Sequence, residues 1–377
     1  MSAAVSKTVC YLSCPYHKNF RKNFIIKKIP ESNSLSHNFH DCFGLFDNEI
    51  TAYEIILPEY VKYLNNKSRY SETKYDLCFP KYNGQCRSFL VLQDLLTEGY
   101  QMVNRIKGFT KNECSLILQE ISKFHAVSIA FKKQNEKLFQ KIKNKLKETV
   151  FRGDFVDNIM GAIWENSIKF AIKSLNESNN LKLIKISEKL KFFSGKILNT
   201  LIDLTKCNSS KFDVICHGDL WNNNILIRYC DLGYPIDVKF IDLQAMRYGS
   251  CVLDVMHVLF TSSRPKVQEK HLEILLFEYY DNLCENAQKL DETLEFSYDE
   301  FKNELKEKLY FGVFVSCLMF TCITKKSGSE EETPDLDYTL ENLRNEIQIE
   351  RTYKTLSLEY HERIRRLFLT LTDFNLI

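Results

Sequence analysis

The chain has 377 residues, of which 44% are hydrophobic and 27% are charged, and its formal net charge is +2. This length is ample to bury a core and favours two structural domains or lobes. The near-neutral balance gives no reason to expect a nucleic-acid surface or an anionic-membrane surface. Nothing in the composition indicates a protein partner.

The 13 cysteines are scattered, without a CxxC pair or a Cys/His cluster at zinc spacing. They indicate reduced, buried thiols rather than a disulfide framework. The first residues contain no apolar stretch of signal-peptide length. The longest apolar run, Leu309–Ile323, is too short for a comfortable membrane span and is typical of a buried core helix. These features predict a soluble cytoplasmic protein.

The first part of the chain mixes short strands with one helix. Residues 8–12, 24–29 and 89–92 are rich in strand-forming side chains, and Pro30 is expected to end the second of these strands. Residues 46–57 have apolar side chains at helical spacing, and Pro58 is expected to end that helix.

Helical patterns dominate the chain after Gly108. Thr110 and Glu113 predict a capping box that begins a helix through about Phe131. The further predicted elements are helices at about 157–176 and 183–205, strands at 224–229 and 237–241, and a largely helical remainder from Leu253.

This order of elements predicts an α+β fold with two lobes. A small β-rich N-lobe would comprise residues 1–97, and a larger, mostly helical C-lobe would comprise residues 98–377. The cleft between two lobes is the natural place for a ligand.

The most informative segment is residues 214–244, because it combines a predicted hairpin with polar side chains at the hairpin's open end. Asn224 and Asp242 lie nine residues on either side of Gly233, near the centre of the connection. An antiparallel hairpin therefore brings them to the same end. Two oxygen donors that converge in this way suit a hard divalent cation such as Mg²⁺.

Asp219 lies five residues before Asn224, in the loop that enters the first strand of this hairpin. It could orient an incoming hydroxyl group and accept its proton while the metal ion holds phosphates. A lone Asp in a loop, or an Asn in a run of three, is usually a turn former. The combination H-G-D-x-x-x-x-N, hairpin, I-D is much more specific and predicts phosphoryl transfer.

The same residues resemble a known family. His217-Gly218-Asp219-Leu220-Trp221-Asn222-Asn223-Asn224 and Ile241-Asp242-Leu243-Gln244 are similar to the signature of the ecdysteroid-kinase-like proteins of insects. These belong to the wider aminoglycoside/choline phosphotransferase class, which has a protein-kinase-like fold. Leu243 replaces the family's usual Phe, a mild change.

Other features of the family follow in the expected order along residues 20–325. The similar segments are Lys27-Lys28-Ile29-Pro30, Phe46-Asp47-Asn48-Glu49 with Tyr53 and Leu57-Pro58, Val91-Leu92-Gln93-Asp94-Leu95, and Phe124-His125-Ala126-Val127-Ser128. Gln93 stands where the family usually has Glu.

The resemblance implies roles for these residues. Lys27 would hold the α/β-phosphates of ATP and Glu49 would pair with it, while Gln93, Asp94 and Leu95 would form the adenine hinge mainly through backbone groups. Lys27 is preferred over Lys28 because it lies three residues before Pro30.

In the catalytic loop, Asp219 would be the base. His217 is grouped with it among the catalytic residues, although it is expected to brace the loop rather than to act as an acid or base. Asn224 and Asp242 would be the metal ligands. Asp254 would anchor the loop structurally, and His125 would be a core histidine with satisfied hydrogen bonds.

The chain departs from the family before the lysine strand. Residues 1–26 contain no glycine, so the loop that would hold phosphate through backbone N–H groups is shortened or absent. We therefore expect an apparently truncated N-lobe. Either the natural protein is longer, or nucleotide binding is impaired.

The resulting prediction is an ATP- and Mg²⁺-dependent kinase that phosphorylates a small-molecule alcohol, such as an ecdysteroid or a detoxification metabolite. Two alternatives stay open. One is a choline- or ethanolamine-type kinase of the same fold, and the other is a pseudokinase, a binding protein without turnover.

Overall fold

The computed structural model describes residues 4–14, 17–28, 44–68, 77–86, 89–152, 157–207, 210–325 and 340–377. Strands are concentrated in the first of these ranges, and helices fill most of the remainder. The predicted α+β fold, with a two-lobed and protein-kinase-like plan, is confirmed. The division at residues 97 and 98 stays a prediction.

The amino-terminal sheet has four antiparallel strands in the order β1–β2–β4–β3. Their bounds are β1 (Ala4–Cys14), β2 (His17–Lys28), β3 (Tyr82–Cys86) and β4 (Phe89–Gln93). The three predicted strands correspond to β1, β2 and β4. Pro30, which was expected to end β2, lies outside the described residues, as do residues 15–16.

The register of this sheet decides which lysine of β2 faces the protein interior. Lys27 lies opposite Leu90 of β4, and Ile25 lies opposite Leu92. Residues opposite each other in an antiparallel pair share a face of the sheet, and Leu90 and Leu92 are buried. Lys27 is therefore buried, whereas Lys28 is exposed.

The predicted end of the first helix at Pro58 is wrong. Helix α1 (Leu45–Thr51) continues through a π-helical turn (Ala52–Ile56) into α2 (Leu57–Ser68). Proline lacks an N–H group, and its ring clashes with the carbonyl group four residues earlier in a regular α-helix. The wider π-helical turn directly before Pro58 makes room for the ring, so the helix continues.

The rest of the chain is mainly helical. Its helices are α3 (Lys111–Gln134), α4 (Glu136–Lys143), α5 (Asp157–Asn176), α6 (Leu181–Lys191), α7 (Ile197–Thr205), α8 (Val252–Thr261), α9 (Pro265–Gln288), α10 (Tyr298–Glu307), α11 (Leu309–Ile323), α12 (Leu340–Arg344), α13 (Glu346–Lys354) and α14 (Leu358–Asp373). The predicted capping box of Thr110 and Glu113 begins α3. The single helix predicted over residues 183–205 is two helices, because Gly195 between them has a φ of +71°.

Two small antiparallel sheets interrupt the helices, and one of them contains the predicted hairpin. Strands β5 (Tyr100–Met102), β7 (Ile225–Tyr229) and β8 (Pro235–Phe240) form one sheet, with β7 in the centre. Strands β6 (Asp213–Cys216) and β9 (Arg247–Ser250) form the other. The predicted hairpin is β7–β8, so Asn224 directly precedes it and Asp242 follows it.

The apolar run Leu309–Ile323 is a buried helix, as predicted. Across the residues that the structure describes, no helix is long and apolar enough to cross a membrane. Helix α11 packs against α8, and Gly312 makes this close approach possible. A Cβ atom at Gly312 would lie 2.7 Å from Phe260 Cδ2 and 3.0 Å from Met256 Cβ.

We expect Gly312→Ala to lower the free energy of unfolding by about 1–3 kcal/mol, because the new methyl group must displace Phe260 in a packed core. Gly161→Ala in α5 is the matched control, since its Cβ would lie 3.6 Å from Leu198 Cδ2, an ordinary contact. This control should be neutral, or stabilising by up to about 1 kcal/mol through helix propensity. Urea denaturation of both variants measures the difference, and equal stabilities would contradict the packing described for Gly312.

Candidate active site

The loop between β6 and β7 holds the candidate base. It leaves β6 at Cys216 and passes through Gly218, whose φ is +84°. A Cβ atom there would lie 1.9 Å from the carbonyl oxygen of Ala245. Only glycine allows this approach, and it brings the loop against the segment that follows Asp242.

A buried carboxylate on α8 anchors the start of this loop. Asp254 accepts hydrogen bonds from the backbone N–H groups of His217 (2.7 Å) and Gly218 (2.9 Å). It also accepts one from His125 Nε2 at 3.2 Å, while His125 Nδ1 pairs with the Tyr279 hydroxyl at 2.7 Å. Burial alone would raise the pKa of Asp254, but its hydrogen bonds, first from His125 and then from the backbone N–H of Gly218, lower the pKa to about 2. Asp254 and His125 therefore have the structural roles expected of them.

His217 braces the loop through both ring nitrogens. Its Nδ1 accepts from the backbone N–H of Asp219 at 3.3 Å, and its Nε2 lies 3.1 Å from the carbonyl oxygen of Ile241. These partners assign the proton to Nε2. Burial lowers the pKa of His217, which keeps the ring neutral. These contacts favour bracing over acid–base chemistry for His217.

Asp219 is fixed by Asn224. The Asn224 side-chain Nδ2 donates to the backbone oxygen and to Oδ2 of Asp219, both at 2.8 Å. The side chain of Asp219 is still 27% exposed, so an incoming molecule can reach it. The pKa of Asp219 is raised, first by burial and then by the negative charge of Asp242.

Lys27 of the amino-terminal sheet contacts two carboxylates. Its Nζ lies 2.5 Å from Glu49 Oε2 of α1 and donates a short hydrogen bond to Asp242 Oδ1. Lys27 is 6% exposed and Glu49 is 1% exposed. Burial by itself would lower the pKa of Lys27, but the negative charges of Asp242 and Glu49 raise it overall. The ammonium group therefore stays charged between its two partners.

The open end of the β7–β8 hairpin brings the predicted metal ligands together. The backbone N–H of Ile241 donates to the carbonyl oxygen of Asn224 at 3.0 Å. Asp242 follows with a φ of +69°, and its Oδ2 accepts from Gln244 Nε2 at 3.3 Å. Asn224 and Asp242 thus lie at the same open end of the hairpin, as the hairpin geometry predicts.

These residues fit a divalent cation. The two bonds that Asn224 Nδ2 makes to Asp219 leave its amide oxygen as the free ligand atom, and Asp242 supplies a carboxylate. After burial, repulsion by the negative charge of Asp242 is the second cause of the raised pKa of Asp219. A hard cation with oxygen ligands would relieve that repulsion.

The side chains of the predicted adenine hinge bind the protein itself. Gln93 Oε1 accepts from the Lys81 backbone N–H at 2.9 Å. Asp94 caps a 3₁₀ turn by accepting from the Leu96 N–H at 3.2 Å. Leu95 is buried in a small apolar cluster. Backbone groups of this segment also pair within the protein, since the Gln93 N–H donates to the Lys81 carbonyl oxygen at 2.9 Å and the Asp94 carbonyl oxygen accepts from the Thr97 N–H at 3.3 Å.

Sequence reasoning missed Asn48, which ties α1 to the segment after Asp242. Its Nδ2 donates to the carbonyl oxygens of Gln244 (3.1 Å) and Met246 (2.8 Å). Because Asn48 directly precedes Glu49, these bonds hold the partner of Lys27 against the segment that follows the β7–β8 hairpin. No local pattern marks such a residue, since its partners lie almost two hundred positions away.

Known proteins provide three comparisons. The model of the ecdysteroid kinase-like family matches residues 2–292. No curated protein gives a significant match. An ethanolamine kinase from Plasmodium vivax is 14% identical with a TM-score of 0.39, over 98% of this chain and 83% of that one. A gentamicin complex of APH(2")-IIa is 14% identical with a TM-score of 0.32, over 78% of this chain and 93% of that one.

The two solved structures are too distant to bear on activity. The family model, in contrast, covers well over half of the chain and includes every residue of the site described above. The chain therefore belongs to the ecdysteroid kinase-like family of small-molecule, kinase-type enzymes.

Proposed function

We propose that this chain is an ATP- and Mg²⁺-dependent kinase that transfers the γ-phosphate to a hydroxyl group of a small-molecule alcohol. The observation that carries the proposal is the buried contact of Lys27 with both Glu49 and Asp242. This contact joins the ammonium group of Lys27, on the amino-terminal sheet, to the end of the β7–β8 hairpin. Asp219 lies in the loop that enters the same hairpin. Phosphoryl transfer needs this combination, because its catalysis is mostly positioning and charge stabilisation.

The following residues would bind ATP and Mg²⁺. Lys27 would hold the phosphates of ATP, and Glu49 would keep the ammonium group in place. The backbone of Gln93, Asp94 and Leu95 would contact the adenine ring. Asn224 and Asp242 would hold Mg²⁺, which when bound neutralises negative charge on the phosphates.

Asp219 would orient the acceptor hydroxyl and take its proton. The acceptor oxygen then forms a bond to the γ-phosphorus, the bond from that phosphorus to the β–γ bridging oxygen breaks, and the electron pair leaves with ADP. A cation beside Asp242 would offset the negative charge that, after burial, raises the pKa of Asp219, and this favours the ionised form that accepts the proton.

The acceptor that we propose is an alcohol such as an ecdysteroid or a detoxification metabolite. The chain's membership of the ecdysteroid kinase-like family supports this class. Phosphate transfer from ATP onto a panel of steroids, amino alcohols and glycosides tests it directly. Amino alcohols as the preferred acceptors would favour the choline- or ethanolamine-type alternative, and transfer to no compound would favour a binding protein.

Asp219→Asn should keep the fold and lower transfer at least about 100-fold, because an amide cannot accept the hydroxyl proton. The initial rate of phosphate transfer to the best acceptor of the panel measures the loss. Asp299→Asn makes the same chemical change at a side chain that is 86% exposed, and it should leave the rate unchanged. Full turnover by Asp219→Asn would remove Asp219 as the base.

Asn224→Ala and Asp242→Ala should share one defect, a higher Mg²⁺ requirement for ATP turnover. Asp242 carries a full charge and should matter more than the neutral amide of Asn224. The double variant should be little worse than Asp242→Ala alone, since residues that bind one ion act as a unit.

A Mg²⁺ titration of turnover for the wild type, both single variants and the double variant measures this coupling. Asp231→Ala, in the exposed turn of the same hairpin, is the control and should leave the Mg²⁺ dependence unchanged. Independent, additive losses at an unchanged Mg²⁺ requirement would show that Asn224 and Asp242 do not share an ion.

A further inference from the structure

Helix α8 contacts the catalytic loop at successive points along one face. Asp254 accepts the N–H groups of His217 and Gly218 at the first turn of the helix. Just after the last turn, Ser262 Oγ accepts the N–H of Asn222 at 3.1 Å. The loop from His217 to Asn222 therefore runs alongside α8, and the middle of this loop lies beside the middle of the helix.

The residue at that middle position is His257, three residues after Asp254 and so on the same helical face. Its Nε2 lies 3.8 Å from Asp219 Oδ1. His257 is 5% exposed, and among the described residues neither of its ring nitrogens has a hydrogen-bond partner. A buried polar group without a partner is unusual in a folded protein, and here it faces the candidate base.

We propose that His257 is a positioning residue for Asp219, whose Oδ1 it holds through Nε2–H while Asn224 holds Oδ2. Two donors, one on each oxygen, fix the plane of the carboxylate relative to the acceptor hydroxyl. This inference rests on the proposed function of Asp219 as the base.

The ring has the proton that this role requires. Burial lowers the pKa of His257 to about 3, so the imidazole is neutral at physiological pH and carries one N–H donor. The separation of 3.8 Å exceeds the hydrogen-bond range by less than about 1 Å. Catalytic hydrogen bonds are often long in the free enzyme and shorten when the reacting complex forms. One bridging water would make the same link.

The test uses three substitutions that differ in where they place a donor. His257→Gln puts an amide N–H near the position of Nε2, His257→Asn puts one near Nδ1, and His257→Phe removes both. We expect His257→Phe and His257→Asn to lower kcat about 10- to 100-fold at an unchanged KM for ATP, because a misplacement of about 1 Å costs this much in rate. His257→Gln should restore most of kcat.

The control is His361→Gln on α14, which removes a half-buried ring that pairs with Ser174 Oγ at 2.9 Å, away from the loop. It should leave kcat unchanged. Thermal unfolding of all variants separates a loss of fold from a loss of rate, and the comparison of Gln with Asn stands even if His257→Phe does not fold.

Different results would contradict the role of His257 and the role of Asp219 as the base. In an Asp219→Asn background, His257→Phe should cost nothing further, because there is no base left to position. Equal rates for the Gln and Asn variants, full kcat in His257→Phe, or an additive loss in that background would overturn the role of His257. Full turnover by Asp219→Asn alone would instead overturn the base, and the role of His257 with it.

Discussion

The buried contact among Lys27, Glu49 and Asp242 is the interaction on which the rest of the site depends. Removing three charged groups from water is costly, and it is tolerated only where the geometry is close and opposite charges compensate each other. Here one ammonium group meets two carboxylates, of which the buried Glu49 has a pKa raised by that burial. The negative charge of Asp242 also raises the pKa of Asp219. A divalent cation with bound phosphates would balance the charge of Asp242 beside the amide oxygen of Asn224.

The second requirement is a rigid loop, and α8 provides it. Asp254 is fully buried and holds two loop amides, and its low pKa shows that the ionised form is the stabilised one. A carboxylate with a lowered pKa stabilises the fold above its unfolded pKa of about 4. That contribution is lost as the pH falls through about 2. At neutral pH, therefore, Asp254 is ionised and holds the start of the loop that carries Asp219 in place.

The sequence predicted those parts of the site that depend on local geometry. Asn224 and Asp242 converge because a hairpin brings together residues equidistant from its turn, and Asp219 is fixed by its short distance to Asn224. The preference for Lys27 over Lys28 agrees with the register, which places Lys27 opposite Leu90 on the buried face. The helix end expected at Pro58 was wrong because a π-helical turn accommodates the ring. Asn48 and His257 could not be found, since their roles arise from tertiary contacts with segments far away in the chain.

Nucleotide binding at Lys27 is tested by thermal unfolding of the wild type, Lys27→Met and Lys28→Met with ATP, in the presence and absence of Mg²⁺. A ligand that binds only the folded state raises the melting temperature, so this measurement needs no acceptor. If Lys27 holds the phosphates, Mg²⁺ and ATP together should raise the melting temperature of the wild type and of Lys28→Met, and Lys27→Met should lose this increase. No nucleotide-dependent increase in the wild type, or an equal loss in both lysine variants, would contradict it.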